Sequence, residues 1–432
     1  MQPTRVPLPW REPLLLARQL QQRWGSDGLI WLDGDGSDLG RWVTLAADPL
    51  EQICCRGDRN PFDQLRRLSA GHWCGWLSYE AAAWVEPGNP WRSDELAQLW
   101  IARHDPLFRI DLLEHALWLE GQDPGRLAAV EAWFHDTAAQ DSTPAATTPE
   151  GIRRSQWHWH TSREHYASGV ERIRELIASG DIFQANLTAC CSTDLEQRAD
   201  PLSLFQRLRQ HCPAPFAGLV VAAEAAAGEA VISTSPERFL QVSADGLVET
   251  RPIKGTRPRS DNPDRDADHA ADLVCSVKDR AENVMIVDLL RNDLGRVCEA
   301  GSIHVPQLVG LESYARVHHL TSVVTGKLKP TLSWVDLLEA CWPGGSITGA
   351  PKLRACQRLF ELEPVARGPY CGSLLRLDWD GSVDSSILIR TVMQQGTRLR
   401  AHAGCGIVAD SDPEAEAREL GWKLNPLLEA LE

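Results

Sequence analysis

From Leu29 onward the chain alternates short runs of β-branched and aromatic residues with segments of helical period, and that alternation limits its fold more than any other feature. Leu29–Leu32 and Trp42–Leu45 read as strands, as do Ile182–Leu187, Ala217–Val221 and Ala230–Thr234. Leu14–Trp24 reads as a helix. Tyr166, Val170, Ile173 and Ile177 recur at helical spacing before Gly180 supplies a stop. Gly75–Glu80 reads as a short strand running into an alanine-rich segment, and the tryptophans around it are expected in the core. The class is α/β or α+β, a mixed α/β chain. Thr137–Glu150, rich in Ala, Thr and Pro and without periodicity, reads as a linker between an N-terminal α/β region, 1–150, and a second region, 151–432.

A net charge of −15 leaves no basic footprint for nucleic acid. It does not exclude an anionic substrate, because a metal ion can bridge carboxylates to acidic side chains. Twelve cysteines, including the adjacent pairs Cys54-Cys55 and Cys190-Cys191, show no C-x-x-C spacing, so reduced thiols in a cytoplasmic protein are expected. The thirteen histidines hold no H-E-x-x-H pair, which argues against a zinc hydrolase. Neither a signal peptide nor a run of membrane-spanning length is visible, so no membrane partner is expected.

Chemistry concentrates in a few segments. Thr250–Thr256 ends a strand-like run from Leu247 with Pro252, Lys254 and Gly255. Pro252 holds its predecessor extended and Gly255 permits a turn or a close approach. Lys254 is then either a solvated loop-edge charge or an amine aimed into a site. Glu282–Asp293 is apolar enough for a buried helix yet carries Glu282, Asp288, Arg291 and Asp293. Asp288 and Arg291 are expected to pair on one face, while Glu282 is either a solvated first-turn acid or a site ligand. Gly344–Lys352 is a glycine-rich loop feeding a helix, with Pro351 at the first helical position, a natural cradle for an anion. Ala350-Pro351 stands where a P-loop needs Lys-Ser/Thr, so a nucleoside triphosphate is not expected. Ser386–Met393 reads as one strand covered on both faces, with Arg390 in its middle needing a carboxylate from protein or ligand. Ala403–Val408 is a small-residue strand whose amides could meet a ligand. Asp412-Pro413 starts a last helix on which Glu419 and Lys423, four apart, read as an exposed ion pair.

Taken in order, Ile182–Thr188, Ser235–Phe239, Pro252–Thr256, Arg280–Val297, His318–Ser322, Gly344–Ala355, Gly372–Thr391 and Gly404–Ser411 resemble the chorismate-utilising enzymes. That family includes the anthranilate, aminodeoxychorismate and isochorismate synthases. The resemblance covers the chain from about Arg163 to its end and implies antiparallel sheets packed in a sandwich with helices outside. Anthranilate synthases usually carry alanine where this chain has Lys254, and isochorismate synthases a lysine where it has Gln184. Both positions match the aminodeoxychorismate-forming branch.

The resemblance further implies a chorismate site. Mg2+ is expected on Glu282 and Glu419. Arg390, Tyr370, Lys423 and the amides of Gly404 and Gly406 are expected on the substrate carboxylates, with Gln184, His319 and Thr256 lining the ring pocket. Glu237 is implied as general acid for the departing hydroxyl and Lys254 as nucleophile. No glutaminase elbow is present around Cys74 or Cys405, so ammonia is expected from a separate glutamine amidotransferase. Leu420-Gly421-Trp422 departs from the polar residues usual between the metal acid and the lysine.

Overall fold

A computed structural model describes residues 2–137, 151–314 and 317–432; residues 138–150 of the expected linker lie outside it. Two antiparallel sheets carry the fold, of twelve and ten strands among the described residues. Both mix strands from either side of residues 138–150. The N-terminal strand Ile30–Asp33 pairs with Phe216–Val221 in the larger sheet, and His72–Leu77 pairs with Ser373–Leu377 in the smaller one.

The sheets face each other across a core that includes Ile30, Val220 and Val231 from the larger sheet and Trp76, Trp100 and Leu374 from the smaller. Gly218 marks how closely they pack, since a Cβ there would lie 2.6 Å from Leu374. The other face of the larger sheet is covered by helices Pro13–Trp24, Arg163–Ala178, Pro201–His211 and Pro413–Leu431 through one apolar cluster. Val277–Val297 and Trp334–Cys341 cover the outer face of the smaller sheet. This is the expected sandwich with helices outside.

Local chemistry sets the helix ends. Asp200 and Asn262 accept backbone N–H bonds at their N-caps, each followed by proline in the first turn. Asp412 does the same for the last helix, whose Leu420, Leu424, Leu427 and Leu431 are buried. That helix runs unbroken through Gly421 and Trp422. Trp422 is 70% exposed, whereas Leu420 is buried in the apolar side of the helix, so the departure noted there is part core and part surface.

Two expectations change. Pro351 is the cap residue of helix Lys352–Leu362 rather than its first residue, and the preceding Gly349–Ala350 pairs as a short strand with Gln184 and Ala185. Ser386–Met393 is not one strand. Val383–Ile387 belongs to the smaller sheet and Thr391–Gln395 to the larger. Between them the chain changes sheets, with Arg390 at φ 50. Glu229–Ser235 and Arg238–Val242 change sheets the opposite way beside it, and each strand pairs with its neighbour in both sheets. The apolar run is covered on both faces throughout, but by different layers.

Trp76 and Trp100 are fully buried and stacked at 5.6 Å between the sheets. Trp76→Ala should therefore cost about 3–5 kcal/mol of stability, read as a lower urea midpoint at unchanged denaturant dependence.

Candidate active site

Where the two strand pairs change sheets, the layers part and charged side chains meet. Strand Ile253–Pro258 lies along Val317–Lys327, with Lys254 opposite Leu320 and Thr256 opposite His319. The register slips at Gly255, whose φ is +80 and where a Cβ would lie 2.9 Å from Asp279 and Leu273. Such a bulge re-aims the side chains beside it. Lys254 Nζ donates to the Ser346 carbonyl at 3.0 Å. Thr256 Oγ1 lies 2.8 Å from His319 Nδ1, while His319 Nε2 is buried without a partner. Burial, with help from Arg390, lowers the His319 pKa to about 3, so the imidazole is neutral.

The facing wall is strand Arg398–Ile407. A Cβ on Gly406 would stand 2.5 Å from Gln184 Nε2, 3.3 Å from Glu282 Oε2 and 3.6 Å from Lys254 Nζ, which places four of the expected site residues together. A side chain there would displace the Gln184 amide. Neighbouring strand Gln184–Asp194 sends its Asn186 N–H to the Thr348 carbonyl and its Thr188 N–H to Glu363. The Asn186–Gly406 and Thr188–Gly404 pairs are therefore of the non-hydrogen-bonded kind. The amides of Gly404 and Gly406 point to the other side, where Thr391–Gln395 pairs no further than Ala401. From that side Lys423 Nζ donates to the Gly404 carbonyl at 2.9 Å. Gln184 Oε1 is buried without a partner.

Three acids gather beside this wall. Glu282, 9% exposed, has no hydrogen bond or ion pair among the described residues. Burial raises its pKa, against the opposing pull of Lys254 and Lys278. It is a buried site residue, not a solvated first-turn acid, whereas Asp288 and Arg291 form the expected surface pair at 2.9 Å. Glu419 and Lys423 pair at 2.9 Å with solvent reaching about two fifths of each side chain. Yet the chain packed around them makes desolvation the largest influence on Glu419, and Lys423 outweighs it to hold the carboxyl below its ordinary range. Glu416 is the buried acid that sequence reasoning passed over. It bonds Lys278 at 2.8 Å and Ser411 at 2.7 Å, and its carboxylate, that of Glu419 and the Cys405 sulfur lie within 4.8 Å of one another. Burial pushes the Cys405 thiol up to about 12, so it stays protonated and is a poor partner for a hard cation.

The two sheet-changing segments supply the remaining groups. Glu237 lies between Ser235 and Arg238 and is almost fully buried. Desolvation raises its pKa from 4.5 to about 7, opposed by a bond from the Ser346 hydroxyl and by the Lys254 charge. Arg390 sits on the adjacent exchange with its carbonyl taken by Thr234 N–H at 3.0 Å. Its guanidinium makes no ion pair or hydrogen bond among the described residues, and burial lowers its pKa. No protein carboxylate pairs with it among the described residues. Tyr370 is set further back, its ring stacked at 5.0 Å on His402, which shares a sheet face with Gly404 and Gly406 by alternation.

Sequence reasoning also missed Ser346, the residue that touches both Lys254 and Glu237. The signal for Glu416 was present in its spacing, one turn before Glu419 on the same helix face.

Residues 18–429 match the family model described as chorismate binding enzyme. The chain is 44% identical to the aminodeoxychorismate synthase component 1 of Escherichia coli (strain K12), over 92% of this chain and 85% of that one. It is 40% identical to the component 1 of the same name from Klebsiella aerogenes, over 90% and 84%. Among solved structures, anthranilate synthase component I from Streptococcus pneumoniae superposes with a TM-score of 0.76 at 27% identity, covering 90% of this chain and 92% of the other.

The raised Glu237 pKa has a sign in stability. Below pH 4.5 the carboxyl is neutral folded or unfolded. Between 4.5 and about 7 it ionises only when unfolded, so native stability is lost across that window and then levels off. Glu237→Gln should gain on the wild type by about 3 kcal/mol between pH 4.5 and 7.5. Urea unfolding of both proteins at several pH values checks this, and a flat difference would refute the assignment.

Proposed function

The chain belongs to the chorismate-binding enzyme family, and we propose that it aminates chorismate at C4, giving 4-amino-4-deoxychorismate, a precursor of 4-aminobenzoate and folate. The observation that carries this choice is Lys254, at the position where the anthranilate-forming branch usually has alanine. It lies among Gly406, Gln184 and Glu282, with Glu237 beside it. The names of the component 1 relatives support the same choice.

Chorismate is a dianion whose C4 hydroxyl must leave. Arg390, with no protein carboxylate of its own, takes one substrate carboxylate in a charge-assisted pair. Lys423 and the outward amides of Gly404 and Gly406 take the other, with Tyr370 closing the wall behind. Gln184, Thr256 and neutral His319 line the ring, and the open positions at Gln184 Oε1 and His319 Nε2 meet its polar edge. Glu237, half protonated near neutral pH, gives its proton to the departing hydroxyl, which leaves as water. Lys254, having released one proton to solvent, attacks C2 with its amine lone pair, the ring double bonds shift and the C4–O bond breaks. Ammonia then bonds to C4, the double bonds shift back and the C2–N bond to Lys254 breaks, restoring the lysine.

The acids fit Mg2+. Glu282 is a nearly buried carboxylate with no cationic partner in contact, and Glu419 and Glu416 add hard oxygen donors. Glu282 and Glu419 would hold the ion, which when bound supplies positive charge against the substrate's ring carboxylate. Ammonia comes from a separate glutamine amidotransferase, a reading supported by the component 1 names of the relatives.

Incubation with chorismate, Mg2+ and an ammonium salt should yield 4-amino-4-deoxychorismate without the fluorescence of anthranilate. Glutamine should not replace ammonium for the purified chain. Glu237→Gln should lower kcat by about 10²–10⁴-fold. Mass spectrometry should find a substrate adduct on Lys254 that disappears in Lys254→Ala. Direct formation of anthranilate, or unchanged turnover in Lys254→Ala, would overturn the assignment.

A further inference from the structure

Nearly all the polar contacts of one buried ion pair converge on backbone directly behind the site. Arg367 is 1% exposed, and its guanidinium lies 4.6 Å over the ring of Tyr79. Nε donates to Glu363 Oε2 at 2.9 Å and Nη2 to Glu363 Oε1 at 2.7 Å. Nη1 donates to the Ile347 carbonyl and Nη2 also to the Asn186 carbonyl, both at 2.8 Å. Glu363 Oε1 in turn accepts the Thr188 N–H at 2.9 Å.

A buried ion pair is costly unless its hydrogen-bonding groups are satisfied. Here every guanidinium nitrogen donates, and three of the bonds go to chain that carries or backs the site. Ile347 follows Ser346, whose carbonyl takes Lys254 Nζ and whose side chain lies close enough to Glu237 to pull its pKa down. Asn186 and Thr188 stand opposite Gly406 and Gly404. One side-chain pair therefore fixes the distance between the loop that holds the two reacting side chains and the strand behind the opposite wall.

We propose that Arg367 and Glu363 are positioning residues for the reaction. They are sealed from substrate and act by setting the place of Ser346, and through it the alignment of Lys254 with Glu237. The proposal rests on the amination reading for the roles of those two groups. It predicts a loss in the chemical step that exceeds the loss in binding, because Arg390, the group that takes one substrate carboxylate, is not tied to the pair, while the strand behind Gly404 and Gly406 is. A misplacement of about 1 Å at reacting groups can cost 10²-fold in rate.

Arg367→Lys keeps the charge but cannot make the fork. Expected, with folding checked by circular dichroism and thermal unfolding, is a kcat for chorismate consumption reduced about 100-fold and a much smaller change in KM. Glu363→Gln carries the same comparison where Arg367→Lys does not fold. Guanidinium ion, and not urea at equal concentration, should restore part of the turnover of Arg367→Ala. A second readout does not depend on turnover: the rate of reductive methylation of Lys254, followed by peptide mass spectrometry, should differ between wild type and variant. Wild-type kcat and methylation rate in a folded variant would overturn the proposal, as would a loss that tracks the unfolded fraction alone. A wild type that consumes no chorismate would sink the amination reading instead, and the methylation rates would still decide the positioning.

Discussion

Two antiparallel strand pairs that leave one sheet together and enter the other are the constraint on which the site depends. The exchange is held by backbone and hydroxyl bonds between the two segments. Ser235 Oγ donates to the Ile387 carbonyl at 2.6 Å, Ile387 N–H to the Glu237 carbonyl at 3.1 Å, and Thr234 N–H to the Arg390 carbonyl at 3.0 Å. A chain crossing between layers must leave one ladder before joining the next, and buried backbone groups without partners are costly. Running two segments side by side satisfies them mutually. The residues at the crossing are then freed from strand geometry, so Glu237 can sit buried and Arg390 half-buried between the sheets without belonging to either.

The electrostatic character of the site follows from that position. Arg390 is a desolvated cation with no protein anion, Glu282 is a desolvated carboxylate with no protein cation in contact, and Glu237 is driven up to about 7. Each would be destabilising in an ordinary core. Together they form a template of opposite charges that a dianion and a divalent cation would complete, and strong interactions are available because little water intervenes. Glu419 with Lys423, and Glu416 with Lys278, are already paired.

How much of this could be read from the sequence depended on what each residue's neighbours left visible. The pattern of Lys254 before Gly255 carries part of its own signal: the close approach occurs, while the expected turn at the end of a run from Leu247 is instead a bulge inside a second strand, Ile253–Pro258. The terminal helix is plain from its cap and apolar side, and the helix bearing Glu282 from the apolar character of Glu282–Asp293, although it extends over Val277–Val297. Ser386–Met393 was opaque because an apolar run covered on both faces looks the same whether it stays in one sheet or crosses to another. Only the positive φ of Arg390, at a residue that is not glycine, marks the break. Glu416 offered only its spacing from Glu419, a weak signal because an acid on the first turns of a helix is commonplace, and its partner Lys278 lies far away in sequence. Ser346 acts through a carbonyl as well as a hydroxyl, and main-chain atoms leave no trace in side-chain patterns.

The N-terminal third, least distinctive as sequence, takes part in the site through the same logic of satisfaction. Tyr79 presents its ring to the Arg367 guanidinium, and Glu80 Oε1 accepts the Arg367 N–H at 2.8 Å. Strand His72–Leu77, which leads into these residues, is hydrogen-bonded to Ser373–Leu377. The turn that carries Arg367 is thus gripped from the N-terminal side, and Arg367 grips the loop of Ser346 and the strand of Asn186. A chain lacking its N-terminal strands would expose the edge of Ser373–Leu377 and leave Arg367 with neither its ring nor its carboxylate acceptor for the main chain. The reacting groups are all C-terminal, but the geometry in which they meet belongs to the whole sandwich.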